Sequence, residues 1–176
     1  YLCGCLTCQR TRINKNSVLS NNLIIDTINF SYSDQTDFSQ AKENYTDFDC
    51  EALIVSDEFI YLFTKQWISK KTTLYSLPKT PGTHIAVKRS TLDVNGLVTG
   101  AVYCQSKKLI ALCGYTNLST PFIYLLYDFN NTDFFSGNKR KIDIELPFHQ
   151  VEGISTTNGL KYYISNENIS YLNILA

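Results

Sequence analysis

The stretch Glu51-Ala52-Leu53-Ile54-Val55, Ser56-Asp57-Glu58, Phe59-Ile60-Tyr61-Leu62-Phe63-Thr64 decides how the chain folds. A small or apolar run, a short polar turn and a more strongly apolar run are the signature of a β-hairpin. Two later stretches repeat it. Thr99-Gly100-Ala101-Val102-Tyr103-Cys104 passes through a Lys-rich turn into Leu109-Ile110-Ala111-Leu112-Cys113-Gly114. Glu152-Gly153-Ile154-Ser155 passes through Thr157-Asn158-Gly159 into Leu160-Lys161-Tyr162-Tyr163-Ile164-Ser165.

The repeat extends beyond the hairpins. Residues 72–77 and 122–127 read as third strands, with 170–175 as the matching run at the C-terminus. Fourth strands are predicted at 85–92 and 141–146, where Ile142-Asp143-Ile144-Glu145-Leu146 alternates as a strand with one wet face does. Four antiparallel strands per unit, at a period of about 40–50 residues, predict the blades of a β-propeller. Pro78, Pro81, Pro121 and Pro147 fall between the predicted strands or at their ends, where a missing N–H breaks no ladder. Residues 22–32 read as the outer strand of a preceding blade, 33–49 as a long polar loop, and the segment before 22 fits no blade.

The expected fold is therefore all-β: a partial β-propeller of about three four-stranded blades plus part of another. One domain covers 1–176, with 1–49 an irregular edge and incomplete blade, 50–98 and 99–150 blades, and 151–176 incomplete. Closed propellers use about 4–8 blades, so the chain is expected to be an arc of a larger ring, with the remaining blades in a parent chain. The absence of Met even at position 1 leads to the same expectation of a processed or excised form.

Composition excludes several classes. At 44% hydrophobic and 18% charged, the chain is neither disordered nor built for a lipid interior, and no apolar run approaches the ~20 residues of a spanning helix. Sixteen basic residues balance sixteen acidic ones, so no global field favours nucleic acid. Twelve Tyr and ten Phe favour strands.

Six cysteines occupy 3, 5, 8, 50, 104 and 113. The hairpin reading sets Cys104 opposite Leu109, which leaves Cys113 on the same face about 13 Å away. A disulfide needs Cα atoms within about 7 Å, so both are expected to be buried free thiols. Cys3, Cys5 and Cys8 lack the fourth ligand that zinc normally takes, and read as an incidental cysteine-rich edge.

The runs Asp47-Phe48-Asp49-Cys50-Glu51-Ala52-Leu53, Leu77-Pro78-Lys79-Thr80-Pro81-Gly82-Thr83 and Val151-Glu152-Gly153-Ile154, with Tyr61-Leu62-Phe63-Thr64-Lys65 and Ile164-Ser165-Asn166-Glu167, carry a resemblance. They resemble uncharacterised secreted bacterial β-propeller proteins, relatives of the NHL-like and phytase-like propellers, over about residues 26–170. The resemblance implies a module of a larger secreted or surface protein in an extracellular or periplasmic setting. The chain departs from it before Asn22.

Glu51 and Glu152 hold the same repeat position, just before the innermost strand, and Thr99 is their equivalent in the middle unit. In a propeller that position lies near the channel mouth. Asn166 and Glu167, ending the last hairpin, are placed to approach the same mouth. Two carboxylates and an amide oxygen suit Ca²⁺, a hard cation that prefers oxygen ligands. The plainer reading is that each Glu accepts backbone N–H bonds from the neighbouring blade and locks the blades together.

Other features point to structure. His149-x-x-Glu152 has metal-like spacing only on a helix, there is no Gly-x-Ser-x-Gly elbow, and the basic run 137–141 reads as a solvated turn. Trp67 is either a ligand platform or packing between blades. Five Asn-x-Ser/Thr sequons begin at Asn29, Asn44, Asn117, Asn130 and Asn168 and matter only in a glycosylating host. The expected function is a non-enzymatic binding or scaffolding module with an unknown ligand or protein at its channel face. The alternative is a Ca²⁺-dependent, lactonase- or phytase-like hydrolase using Glu51, Glu152 and Asn166.

Overall fold

The computed structural model of the chain describes residues 8–13, 17–18, 25–39, 42–146 and 148–167. They form an all-β protein, with no α-helix among the described residues. The strands are β1 (Cys8–Ile13), β2 (Ile25–Tyr32), β3 (Asp49–Val55), β4 (Phe59–Lys65), β5 (Lys71–Pro78) and β6 (Gly82–Asp93). They continue as β7 (Leu97–Cys104), β8 (Leu109–Tyr115), β9 (Pro121–Tyr127), β10 (Asn138–Asp143), β11 (Gln150–Thr156) and β12 (Tyr162–Glu167). Among the described residues no helix is long and apolar enough to cross a membrane.

All three expected hairpins are present: β3 with β4, β7 with β8, and β11 with β12. Local chemistry closes each turn. Ser56 Oγ accepts from Phe59 N–H at 3.1 Å, Lys108 takes φ 47° to end a 3-10 turn at Gln105–Lys107, and Gly159 takes φ 67° beneath the Thr156 hydroxyl. The first two hairpins extend into antiparallel meanders, β3-β4-β5-β6 and β10-β9-β8-β7. β11 and β12 form a two-stranded sheet among the described residues, and the expected third strand at 170–175 lies outside them.

Period-two alternation builds two cores around β4. Tyr61 and Phe63 point to one face, Ile60 and Leu62 to the other, so this strand is covered on both sides. The first core joins the two large sheets: Ala52, Ile54, Phe63 and Leu74 meet Val98, Ile110, Leu112, Phe122 and Leu126. Each fully buried Leu, Ile or Phe here contributes about 1.5–3 kcal/mol of transfer free energy. The loop after β9 adds Phe129, Phe134 and Phe135 to the same core, with Phe134 edge-on to Tyr61 at 4.8 Å.

The second core shows how the N-terminal segment departs from expectation. Residues 22–32 were expected as the outer strand of a separate unit. Instead β2 adds in parallel to the outer side of β6, and β1 pairs with β2, giving the order β1-β2-β6-β5-β4-β3. The cause is the alternation of Ile28, Phe30 and Tyr32, all buried against Ile60, Leu62, Tyr75 and Leu77 of the same sheet. The Tyr32 ring lies 4.6 Å from Tyr75 and 5.4 Å from Phe48, and Arg10 Nη2 donates to the Cys50 carbonyl at 2.6 Å. The sheet thus curls over its own face into a half-barrel.

Two smaller expectations also shift. The fourth strand of the second meander is β10, which pairs Asn138 with Tyr127 and ends at Asp143 rather than running over 141–146. The basic residues Lys139, Arg140 and Lys141 therefore lie on an edge strand, where charge discourages pairing with another chain, and not on a turn. Cys113 is a buried free thiol as expected, but Cys104 is only half-buried because it closes β7 at the rim. Cys3, Cys5 and the side chain of Cys8 lie outside the described residues.

The first strands of the three hairpins pack side by side, β3 beside β7 and β7 beside β11. Glycine permits the second contact: a Cβ on Gly100 would lie 3.2 Å from Gly153 Cα and 2.8 Å from Cys113 Sγ. This side-by-side arrangement positions the site.

Candidate functional site

Each of these first strands carries one residue more than its partner at the same place. β3 does so between the pairs Asp49–Lys65 and Ala52–Phe63, β7 between Val98–Gly114 and Gly100–Cys113, and β11 between Val151–Asn166 and Gly153–Ser165. The extra residue falls at Glu51 or its neighbour Cys50, at Thr99, and at Glu152. These are the three equivalent positions of the sequence repeat. A bulge leaves the extra residue out of the ladder and re-aims its side chain. Three bulges on neighbouring strands therefore turn Glu51, Thr99 and Glu152 towards common space.

Two cavities result, and Glu51 and Glu152 line both. The first, about 310 Å³, is completed by Arg10, Cys50 and Thr99. The Thr99 hydroxyl donates to the Val151 carbonyl, tying the second hairpin to the third at the floor of this cavity. The second, about 280 Å³, is closed by Asp49, Lys65, Trp67, Tyr115, Gln150 and Glu167, with Glu43 and Asn44 from the preceding loop.

The second cavity also collects equivalent positions. Lys65, Tyr115 and Glu167 end the second strands of the three hairpins, and they pair with Asp49, Leu97 and Gln150 at the start of the first strands. The loop is fixed by Asp47, whose Oδ1 accepts from the N–H groups of Ile68 and Ser69 at 2.9 and 3.1 Å. The Trp67 N–H bonds the Thr46 carbonyl at 3.0 Å, and its indole Nε1 donates to Asp49 Oδ2 at 2.9 Å.

Electrostatics centre on Lys65, which is 4% exposed. Its ammonium donates to both oxygens of Glu51 at 2.9 and 3.0 Å. It also lies 4.6 Å from the centre of the Trp67 ring and 5.5 Å from that of Tyr115, within cation–π range. Burial alone would lower the Lys65 pKa, but the bond and charge of Glu51 override it and leave the ammonium more firmly protonated than usual. Glu152 responds the other way. Burial pushes its carboxyl up to about 7, with the Lys65 charge opposing and the Glu51 charge, a hydrogen bond to Glu51 and the Glu167 charge adding to the rise.

The structure brings Glu51, Glu152 and Glu167 together. Asn166 pairs with Val151 across β11 and β12, but its exposed amide donates to the Glu167 carbonyl at 3.2 Å and lines neither cavity. Among the described residues no three His, Cys, Asp or Glu side chains converge closely enough to hold one metal ion, and the Lys65 ammonium spans both Glu51 oxygens. Sequence reasoning missed Asp49, Lys65 and Tyr115. Superposing the ends of the second strands would have found Lys65 and Tyr115 beside Glu167. The chain matches no protein-family model, no curated protein and no solved structure.

Proposed function

We propose that the chain is an arc of a β-propeller that serves as a non-enzymatic binding module of a larger secreted or surface protein. Its ligand site is the space shared by Glu51, Glu152 and the ends of the three hairpins. One observation carries this reading: three hairpins with a bulge at the same repeat position set their first strands side by side and aim the bulge residues into common cavities. Radially stacked meanders of one sequence period are how propeller blades are arranged. Ligand sites at such a mouth draw one or two side chains from each blade.

A binding role suits the chemistry better than hydrolysis. A metal-assisted hydrolase needs converging oxygen ligands, and here the Lys65 ammonium already spans both oxygens of Glu51 while burial favours the protonated form of Glu152. Calorimetric titration of the chain with calcium chloride, beside hydrolysis assays on p-nitrophenyl phosphate and a simple lactone, tests it. The module predicts no saturable calcium heat and no turnover. Tight calcium binding that disappears in Glu152→Gln, accompanied by turnover, would replace it with the hydrolase.

A further inference from the structure

The cavities lie at the open ends of the three hairpins, and the turns close the opposite ends. There the second and third hairpins meet. The 3-10 turn Gln105–Lys107, ended by Lys108 at φ 47°, packs against the turn between β11 and β12. A Cβ on Gly159 would lie 3.1 Å from Lys107 Cδ, 3.2 Å from Leu109 Cδ2 and 3.4 Å from Cys104 Sγ. The alkyl stem of Lys107 thus crosses Gly159, which takes φ 67° and has no side chain to push it away. The β11–β12 turn is also fixed from within. Thr156 Oγ1 accepts from Gly159 N–H at 2.9 Å, and Asn158 Oδ1 accepts from the N–H groups of Leu160 and Lys161 at 2.9 and 3.1 Å. One pair of packed turns therefore carries Lys107, Lys108 and Lys161.

This tip is basic and apolar at once. All three lysines are exposed, and none pairs with a carboxylate among the described residues. Their own segments supply no counter-charge, since residues 94–127 and 153–166 hold no Asp or Glu. The turn of the first hairpin carries exposed Asp57 and Glu58, so the positive surface belongs to the second and third hairpins alone. Beside Lys161 stand Leu160, 74% exposed, and Tyr163, 65% exposed. Lysines solvate a turn by themselves. An uncovered Leu in the same turn keeps apolar area in water and is relieved only by an apolar phase.

We propose that this tip docks on a bilayer surface bearing anionic phospholipids, with Lys107, Lys108 and Lys161 at the headgroup phosphates and Leu160 and Tyr163 entering the interface. Charge complementarity carries the proposal. Three unpaired ammonium groups meet a surface of fixed negative charge, and each lysine near such a surface strengthens binding about fivefold. The apolar pair selects a bilayer over a soluble polyanion. The headgroup–acyl boundary takes up Leu and Tyr, whereas a phosphate or sulfate polymer in water does not. Three lysines and two apolar side chains give weak, reversible association. The docking face lies at the other end of the hairpins from the cavities, so it does not depend on what they bind.

The experiment floats the chain with vesicles of phosphatidylcholine alone and of phosphatidylcholine containing about one-third phosphatidylglycerol. The expected result is partitioning at least about tenfold stronger to the anionic vesicles, falling as salt is raised. Lys107→Gln and Lys161→Gln should each weaken it about fivefold, and together about twenty-five-fold. Leu160→Ser should weaken it severalfold at unchanged charge. Lys71→Gln removes the same charge from an exposed position at the start of β5, at the other end of the sheet, and should leave partitioning unchanged. Circular dichroism confirms that each variant keeps its fold. Equal partitioning to the two vesicles, none at millimolar lipid, or equal losses in Lys71→Gln and Lys161→Gln would overturn the proposal. Full partitioning in Leu160→Ser, with displacement of the chain by heparin, would also overturn it and leave a soluble polyanion as the partner. None of these results touches the calcium and turnover tests, so the docking face and the binding-module reading fail separately.

Discussion

Lys65 donates to both carboxylate oxygens of Glu51 at 2.9 and 3.0 Å, and this one buried ammonium faces carboxylates from the first and third hairpins. Removing a buried partner leaves the other charge uncompensated, which commonly costs 3–5 kcal/mol. The Glu51 side chain is 29% exposed, so water compensates part of it. Lys65→Met is expected to cost about 2–4 kcal/mol in urea unfolding at pH 7.5. Glu51→Gln in the Lys65→Met background should restore part of that loss. A Lys65→Met chain as stable as the parent would show that the pair contributes nothing.

The raised pKa of Glu152 makes stability depend on pH in a definite direction. The folded chain holds this proton up to about 7, whereas the ordinary carboxyl releases it near 4.5. Between those values the folded state binds more protons than the unfolded one, so stability from this group is complete below 4.5 and is lost as pH rises through 7. Glu152→Gln removes the effect. Its melting temperature relative to the parent should climb from pH 5 to pH 7 and level off by pH 8. Because Glu152 is half-exposed, the advantage discounts to about 1 kcal/mol, or about 2–4 °C for a chain of this size. A constant difference across that range would mean Glu152 titrates normally.

Cysteine accessibility separates rim from core. Cys50 and Cys113 are buried, and burial pushes the Cys113 thiol up to about 12 despite a contact with the Thr99 hydroxyl at 3.9 Å. Cys104 is half-buried and touches Ser106 Oγ at 3.6 Å. Thiolate is the reactive form, so maleimide at pH 7.5 should label Cys104 within minutes in native buffer, and Cys50 and Cys113 only after denaturant is added. Peptide mass mapping of the labelled chain reads this directly. Native labelling of Cys113 at the rate of Cys104 would mean that the β7–β8 hairpin opens.

Much of this was legible in the chain before its structure. Runs such as Phe59 to Thr64 announce strands because apolar residues fill both faces, and the repeat alone made Glu51, Thr99 and Glu152 equivalent. The bulges that turn those three residues inward were not legible, because one extra residue in a strand leaves no mark on composition. Nor was the parallel addition of β2 to β6, since the alternation of Ile28, Phe30 and Tyr32 shows a buried face but not its partner. The Asp49–Trp67 bond depends on a loop held by Asp47 against a turn twenty-odd residues later, a contact that local pattern does not encode.

The close approach of β7 and β11 can be tested at its two glycines. A Cβ at Gly100 would meet Cys113 Sγ at 2.8 Å, Gly153 Cα at 3.2 Å and the Glu152 carbonyl at 3.4 Å. Two of these three are backbone atoms of β11, which yield only if the strands separate. Among the described residues a Cβ at Gly153 would meet only Ser165 Oγ, at 2.8 Å, a hydroxyl that rotates away. Gly100→Ala is therefore expected to cost about 1–3 kcal/mol in urea unfolding, the usual range for overpacking. Gly153→Ala should stay within about 0.5 kcal/mol of the parent, because the loss of unfolded-state freedom offsets the small adjustment. Adding Cys113→Ala to Gly100→Ala should recover only part of the cost, since the thiol is one of three obstacles. Separation of the strands also draws Glu152 away from Glu51 and weakens their hydrogen bond. The pH-dependent part of stability between 4.5 and 7 should therefore shrink in Gly100→Ala and persist in Gly153→Ala. Equal costs at the two glycines would mean that β7 and β11 are not packed backbone to backbone.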